Sequence, residues 1–599
     1  MVYYNPLDLF CKSRIGGVCE TEEITFRVKT DSQTCQMVVI KDGETESLIE
    51  MQKKDGFFET SLSFNVGLYF YFFNLDNGVI VGKGQNYLGE ENVNNPFQLT
   101  SYKKGYRTPS FIKGGLIYQI FPDRFCRKEK QKNLPPYKVL HENWNELPVF
   151  EPNENGKIIN NDFFGGDFKG ITSKLNYIKS LGANVIYLNP IFKAYSNHRY
   201  DTGNYMQVDE LLGTEKDFET LIKKANEKGI KIILDGVFNH TGDDSIYFNK
   251  YGRYGLDGAY INPNSKYKHW FKFINYPNEY ESWWGITTLP AVNKNNKDYV
   301  NYICGKNGVL KKWLGKGVSG YRLDVVDELP ESLVKQIRKS VKSTNKNAII
   351  IGEVWEDATN KIAYGVRRKY FQGAELDSVM NYPLKNAIIN YATTGDEKLL
   401  SYTVKEQIDH HPKMVLDSLM NILSTHDTFR IISALACLNV NGKTKKELST
   451  LTIPSSIKKE VEFRLKVATL LQYTLYGVPS LYYGDEVGMQ GYTDPLNRQT
   501  YPWGSEDKEI LNWYKKLGAL RKKYRIFKDG EVNEIYAKNG VYVFSRKNRY
   551  GKGIIVAINC GKESKEIRFN GQLTNLLNNK KYTSKIVLNK NNLVVLAKI

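Results

Sequence analysis

The chain has 599 residues, 41% hydrophobic and 25% charged, a globular composition that excludes a disordered or fibrous chain and at this length calls for more than one domain. The 84 Lys and Arg against 65 Asp and Glu give a net charge of +19, but the basic residues are spread among acidic ones. They read as a solvated surface rather than a nucleic-acid interface.

No uncharged apolar run approaches the ~18 residues of a membrane span, and Met1 to Pro6 carries no leader pattern. Seven scattered cysteines without a C-x-x-C pair favour a reducing, cytoplasmic setting over a disulfide framework or a zinc site. Residues 1–110 hold short alternating runs, such as Glu23-Ile-Thr-Phe-Arg-Val-Lys29 and Leu68-Tyr-Phe-Tyr-Phe-Phe73, separated by Asp-Gly and Asn-Gly. They predict an N-terminal β-sandwich.

Residues 111–520 change character. Eight short apolar runs begin at Leu116, Val185, Lys231, Gly320, Ile349, Asp377, Asn421 and Pro479. Amphipathic segments lie between them. Ile171, Leu175, Ile178 and Leu181 mark one face of a helix, and Phe218, Leu221, Ile222 and Ala225 another. Alternating strands and helices predict an α/β fold, a (β/α)8 TIM barrel. No Gly-x-Gly-x-x-Gly follows the first run, which disfavours a doubly wound sheet. Two connections are long, 122–165 and 241–297; the second is expected to form an inserted subdomain at the catalytic face. Residues 521–599 return to β runs and predict a C-terminal β-sandwich.

Polar residues cluster at the strand ends: Asp235 with Asn239 and His240, Arg322 with Asp324, Glu353 with Trp355, and His426 with Asp427. One such carboxylate alone is as well explained as a helix cap. Three carboxylates, two histidines and an arginine on successive strand ends must face one funnel, where they repel unless they serve a purpose. There is no nucleophile elbow and no His-Glu-x-x-His. Paired carboxylates without an evident metal cluster suit acid/base work on an acetal. Arg322 and Asp324, two residues apart on a strand, share a side, so the guanidinium is expected to hold Asp324 ionised while Glu353 serves as the acid.

The motifs Asp235-Gly-Val-Phe-Asn-His240, Gly320-Tyr-Arg-Leu-Asp-Val-Val326, Gly352-Glu-Val-Trp355 and Ser424-Thr-His-Asp427 resemble, in order, those of the α-amylase family of glycoside hydrolases. The resemblance implies Asp324 as nucleophile, Glu353 as general acid/base and Asp427 as the transition-state stabiliser. It places His198, Tyr200, His240, Arg322, Trp355, His426, Asp494 and Arg498 around the substrate, with Tyr200 as a stacking platform.

Ile117-Tyr-Gln-Ile-Phe-Pro-Asp-Arg-Phe125, Phe164-Gly-Gly-Asp167, Ser196-Asn-His-Arg-Tyr-Asp-Thr202 and Met380-Asn-Tyr-Pro383 are similar to neopullulanases, cyclomaltodextrinases and maltogenic amylases. Leu289-Pro-Ala-Val-Asn293 mixes two versions of its motif, and Val325-Val-Asp-Glu328 departs from the usual small residue and Asn. The implied activity is retaining hydrolysis of α-1,4 glucosidic bonds in starch, pullulan, cyclodextrins or malto-oligosaccharides, with α-1,6 bonds left open. A 4-α-glucanotransferase, or an inactive glycan-binding relative, stays as the alternative.

The resemblance also implies a carbohydrate-binding-module-like N-terminal domain and allows a homodimer. It requires no cofactor. A Ca²⁺ at Asn239 stays open, and a second site after the first strand is disfavoured by the basic run Cys126-Arg-Lys-Glu-Lys-Gln-Lys-Asn133. Trp283 and Trp284 are expected either to stack on sugar rings or to anchor their loop. His410 and His411 are expected at the surface.

Overall fold

The computed structural model describes residues 2–129, 134–154 and 156–598. Of the basic run that begins at Cys126, residues 130–133 lie outside the described residues.

The N-terminal domain packs a seven-stranded sheet against a three-stranded one. In the strand Glu23–Val28 alternate residues are buried, as a half-buried strand demands. Ile24, Phe26 and Val28 meet Tyr71, Phe73 and Phe97 of the other sheet in a common core.

The eight middle runs form eight strands: β1 (Ile117–Ile120), β2 (Val185–Leu188), β3 (Lys231–Gly236), β4 (Gly320–Leu323), β5 (Ile349–Gly352), β6 (Ser378–Val379), β7 (Met420–Ile422) and β8 (Val478–Tyr482). They pair in parallel in the order β6-β5-β4-β3-β2-β1-β8-β7. A parallel bridge from Met380 to Met420 closes the ring. Alternate strand residues point inward. Ile117, Val185, Ile233, Ile349, Ile351, Met420 and Val478 form the inner core, while Ile186, Leu188, Ile232 and Leu234 face the helices.

Phe218, Leu221, Ile222 and Ala225 are the buried face of the helix Glu215–Glu227, which opens on a Thr214–Asp217 capping box. The stretch from Ile171 to Leu181 is two short helices rather than one, Phe168–Ser173 and Leu175–Ser180. They meet at Lys174 (φ −99°, ψ 5°), outside helical geometry, yet all four apolar residues stay buried. Burial of the face outweighs continuity of the helix.

The C-terminal strands make one continuous six-stranded antiparallel sheet. Tyr542, Phe544, Val556 and Ile558 join the core outside the barrel. Val541, Val543, Ala557 and Leu596 face the other way and meet Ile567, Ile586 and Leu588 in a second core. An irregularity between Arg568 and Gln572 in the strand Lys565–Asn575 accompanies this packing. Among the described residues no helix is long and apolar enough to cross a membrane.

The N-terminal domain covers the end of the barrel helix Lys398–His410, which overturns the surface placement of two histidines. His410 and His411 are 1% and 2% exposed. His410 Nδ1 lies 2.8 Å from Asp357 Oδ2, and His411 Nδ1 lies 3.0 Å from the Gln407 carbonyl. The Gly17 amide donates to the His411 carbonyl at 2.9 Å. A Cβ on Gly16 would come within 2.8 Å of that oxygen. Helical spacing alone could not show that a domain some 400 positions upstream in sequence would dock there.

The contact is locked by an ion pair between Lys12 and Asp409, both fully buried, with the Tyr87 hydroxyl donating to Asp409 at 3.1 Å. Cutting one side of a buried pair leaves the other charge uncompensated, at a cost of about 3–5 kcal/mol. Lys12→Met should therefore lower the first calorimetric unfolding transition. The double change Lys12→Met with Asp409→Leu should recover most of the loss.

Candidate active site

The inward parity of the barrel strands continues past their apolar halves. Ile233 is followed inward by Asp235, Gly320 by Arg322 and Asp324, and Ile349 and Ile351 by Glu353. The same alternation that fills the barrel thus delivers a polar layer at its C-terminal mouth.

Arg322 is fully buried at the centre of that layer. Its Nη1 donates to Asp235 at 2.8 Å and to Asp324 at 2.7 Å. Its Nη2 lies 2.8 Å from Glu353 Oε2, an ion contact without aligned hydrogen-bond geometry. Glu353 Oε2 also accepts the Val325 amide at 2.8 Å, and Oε1 accepts the Trp355 indole N–H at 3.2 Å. Val325 reaches Glu353 from a left-handed conformation, φ 39° and ψ 51°, which a β-branched residue rarely adopts.

Burial pushes the Asp324 carboxyl well above the ordinary carboxylate range. Arg322 opposes that shift, and Glu353, Asp235 and Asp427 reinforce it. The guanidinium is where the sequence puts it, but it does not outweigh burial among three other carboxyls. Asp427 is pushed up to about 7 by burial first and by Glu353 second, against the pull of Arg498. Its side chain keeps 32% of its surface open to the cleft, so solvent moderates this shift.

Three imidazoles surround the layer, all held neutral. Burial brings His198 and His240 down to about 3 and His426 well below its ordinary value. They act as directional hydrogen-bonding groups. The Gln119 amide donates to His426 Nδ1 at 3.1 Å, which leaves the proton on Nε2. That nitrogen meets the Tyr200 hydroxyl at 2.5 Å and Asp427 at 3.1 Å. Tyr200 in turn donates to Asp235 at 2.8 Å. Its ring lies parallel to His426, centroids 5.2 Å apart. Tyr200 is therefore fixed on both its edge and its face before any ligand meets it.

Ten of the eleven residues singled out in the sequence line one cleft of about 1100 Å³, and Arg322 lies beneath it. Arg498 pairs with Asp494 at 2.8 Å and reaches Asp427 at 3.4 Å. Trp355 stacks on Tyr382 at 3.9 Å. Both tryptophans of the long loop line the cleft, their ring centroids 5.3 Å apart. Trp283 stacks on His240 at 5.2 Å as an anchor, while Trp284 is 76% exposed in the cleft wall.

Sequence reasoning missed the rest of that wall. Glu328 accepts the Trp284 indole N–H at 3.0 Å and also bonds the hydroxyl of Tyr364, which is 69% exposed. The departure at Asp327-Glu328 and the Tyr364-Gly365 turn were the available signals.

Calcium does not fit Asn239 here. Its Oδ1, the atom a cation would need, accepts the Lys294 ammonium at 2.8 Å. Burial lowers the pKa of Lys294. Among the described residues no group of three or more His, Cys, Asp or Glu is placed to hold a metal ion.

Comparison with known proteins gives the family. Residues 119–502 match the family model described as the α-amylase catalytic domain. An amylopullulanase of Thermoanaerobacter thermohydrosulfuricus is 35% identical over 97% of this chain and 44% of its own length. A cyclomaltodextrinase of Thermoanaerobacter pseudethanolicus is 30% identical over 81% of this chain and 74% of its own. The chain spans less than half the length of that amylopullulanase and of two further ones. The type III pullulan hydrolase of Thermococcus kodakarensis, 24% identical, superposes over the whole of both chains with a TM-score of 0.71, a likeness of fold.

The position of Asp427 has a consequence for stability. Its folded carboxyl holds a proton up to about pH 7, above the ordinary 3.8. Stability from this group is therefore full below about pH 4 and is lost as pH rises from there to about 7. Asp427→Asn should raise the melting temperature more at pH 8 than at pH 5. An equal effect at both pH values would contradict the raised carboxyl.

Proposed function

Since the chain belongs to the α-amylase family of glycoside hydrolases, we propose that it cleaves α-1,4 and α-1,6 glucosidic bonds of α-glucans and malto-oligosaccharides with retention of configuration. One observation carries the retaining reading: a single guanidinium contacts both Asp324 and Glu353, at 2.7 and 2.8 Å. That favours the ~5–5.5 Å carboxyl spacing of retaining enzymes over the ~6.5–9.5 Å of inverting ones. The names of the amylopullulanase and cyclomaltodextrinase relatives support the choice of bonds and substrates.

In this mechanism Asp324 attacks the anomeric carbon while Glu353 gives its proton to the leaving glycosidic oxygen. The carbon–oxygen bond breaks and a glycosyl ester forms on Asp324. Water then loses a proton to Glu353 and attacks the same carbon, which frees Asp324 and restores the starting anomer. Glu353 Oε2 is engaged by Val325 and Arg322, so Oε1, with only the longer bond to Trp355, is the oxygen that delivers the proton. Attack needs Asp324 ionised, and the Arg322 contact is what opposes the upward push of burial on that carboxyl. Asp427, Arg498 and His426 grip hydroxyls of the sugar on the donor side, and Tyr200 supplies its apolar face.

Glu353→Gln should cost about 10²–10⁴-fold on malto-oligosaccharides, yet leave the first step on 2,4-dinitrophenyl α-maltoside nearly intact, because that leaving group needs no proton. An equal loss on both substrates removes Glu353 from the acid role. NMR of early product should show the α-anomer, and the β-anomer would refute retention.

Activity is proposed to be independent of calcium, since Lys294 occupies the Asn239 oxygen. Dialysis against EDTA should leave kcat/KM unchanged, while Lys294→Ala should lower the melting temperature. A loss of activity restored by added Ca²⁺ would contradict this assignment.

A further inference from the structure

The cleft wall that follows β5 is a small hairpin, Ile362–Ala363 paired with Val366–Arg367. Its turn residues Tyr364 and Gly365 both have positive φ, 53° and 75°, as a type I′ turn requires. The hairpin buries little: Ile362, Tyr364 and Val366 are 51–69% exposed. Two residue pairs without a packed face do not hold a hairpin in place, so its position depends on the ties at its base and at its tip.

At that base Arg368 donates to the Leu329 carbonyl at 3.1 Å and bonds the Asp327 carbonyl, and Lys361 lies 3.6 Å from Asp327; the N-terminal domain adds further ties. Gln98, 2% exposed, donates to the Thr359 hydroxyl at 2.8 Å and accepts the Asn360 side-chain amide at 2.8 Å. Arg367 bonds Asp42 at 3.1 Å and the Asn360 carbonyl, with Phe70 5.9 Å from its guanidinium. Thr359 also bonds Asp357 through its amide and its hydroxyl, at 2.8 and 2.7 Å. The whole 357–367 segment is thereby fastened at one end to Gln98 and at the other to Asp42. At its tip Tyr364 reaches Glu328, which also holds Trp284.

We propose that the N-terminal domain is a working part of the cleft within the same chain, with Gln98 and Asp42 as positioning residues for the hairpin that grips sugars beyond the scissile bond. The inference rests on the glucan-cleaving reading above. In that reading the acid Glu353 faces the leaving group. The wall built after β4 and β5 therefore holds the leaving-group side, opposite the donor-side residues His198, Tyr200, Asp494 and Arg498. Loosening the hairpin weakens the hold on a sugar leaving group and leaves bond breaking itself untouched, because neither Gln98 nor Asp42 contacts a carboxylate of the polar layer.

The test compares the full-length chain with Gln98→Ala, Asp42→Ala and the double variant on two substrates. Maltoheptaose has sugars on both sides of the bond; 4-nitrophenyl α-maltoside has none beyond it when nitrophenol leaves. On maltoheptaose kcat/KM should fall about 3- to 10-fold through KM, the factor expected for one or two buried hydrogen bonds. Release of nitrophenol should stay within about twofold. Hydrogen exchange of residues 361–367 should quicken in the variants while the loop after β8 keeps its protection. Arg367→Gln, which cuts the Asp42 tie at a half-buried position, should quicken the same exchange and raise KM on maltoheptaose even where Gln98→Ala does not fold. Equal losses on the two substrates, or unchanged exchange in the hairpin, overturn the proposal. A wild-type chain inert on both substrates refutes the glucan-cleaving reading instead, and the exchange measurement still decides whether Gln98 and Asp42 hold the hairpin.

Discussion

The site depends on one buried cation. Arg322 lies in the barrel mouth with Asp235, Asp324 and Glu353 around it. A guanidinium suits this place because it is planar, stays charged when buried and presents several donors in fixed directions. It cannot satisfy three carboxylates fully, and the surplus of negative charge is what keeps protons in the cluster. Asp324 and Asp427 are both displaced upward for that reason, behind the larger effect of burial. A cluster that shares too few positive charges among its acids can shift a proton from one to another at little cost, which acid/base chemistry on an acetal requires.

The strand ends were legible because two rules act together there. Strand periodicity decides which residues face inward, and parallel barrels put chemistry at the C-terminal ends. Asp324, Glu353 and Asp427 could be placed on that basis, and the four motifs assigned their roles. Quantities that depend on several neighbours at once were less legible. The spacing of Arg322 and Asp324 suggested a simple charge pair, but the net shift of Asp324 reflects burial and three carboxyls from other strands. His410 and His411 show the same limit. Their own helix looks solvent-facing, and only the docking of a distant domain buries them. Lys294 beside Asn239 is a third case, since no local pattern marks a lysine as the partner of an asparagine 55 positions away.

The flanking domains meet the barrel in different ways. The C-terminal sheet shares an apolar core with the outer helices, so its contact is spread over many side chains. The N-terminal contact also carries directional polar ties, among them the Lys12–Asp409 pair, the Gly17 amide on His411, Gln98 on Thr359 and Asn360, and Asp42 on Arg367, beside ring contacts such as Tyr87 on Tyr402. Contacts of that kind fix direction more than they add stability. They run to the helix before β7 and to the segment after β5, so orientation of this domain is felt at the cleft rim.

The inward parity shared by the apolar and polar layers bears on how such a chain can change over time. Adding or removing one residue within β4 or β5 turns every later side chain of that strand to the opposite face. Arg322, Asp324 or Glu353 would then point into the helix layer, and the apolar filling would be lost with them. The connections after the strands carry no such constraint: the stretch from 241 to 297 can lengthen, shorten or be exchanged while the acids stay in register. Lineages of this protein should therefore accumulate insertions and deletions in the loops and almost none in the strands, so that the walls of the cleft drift while Arg322, Asp324 and Glu353 stay in place.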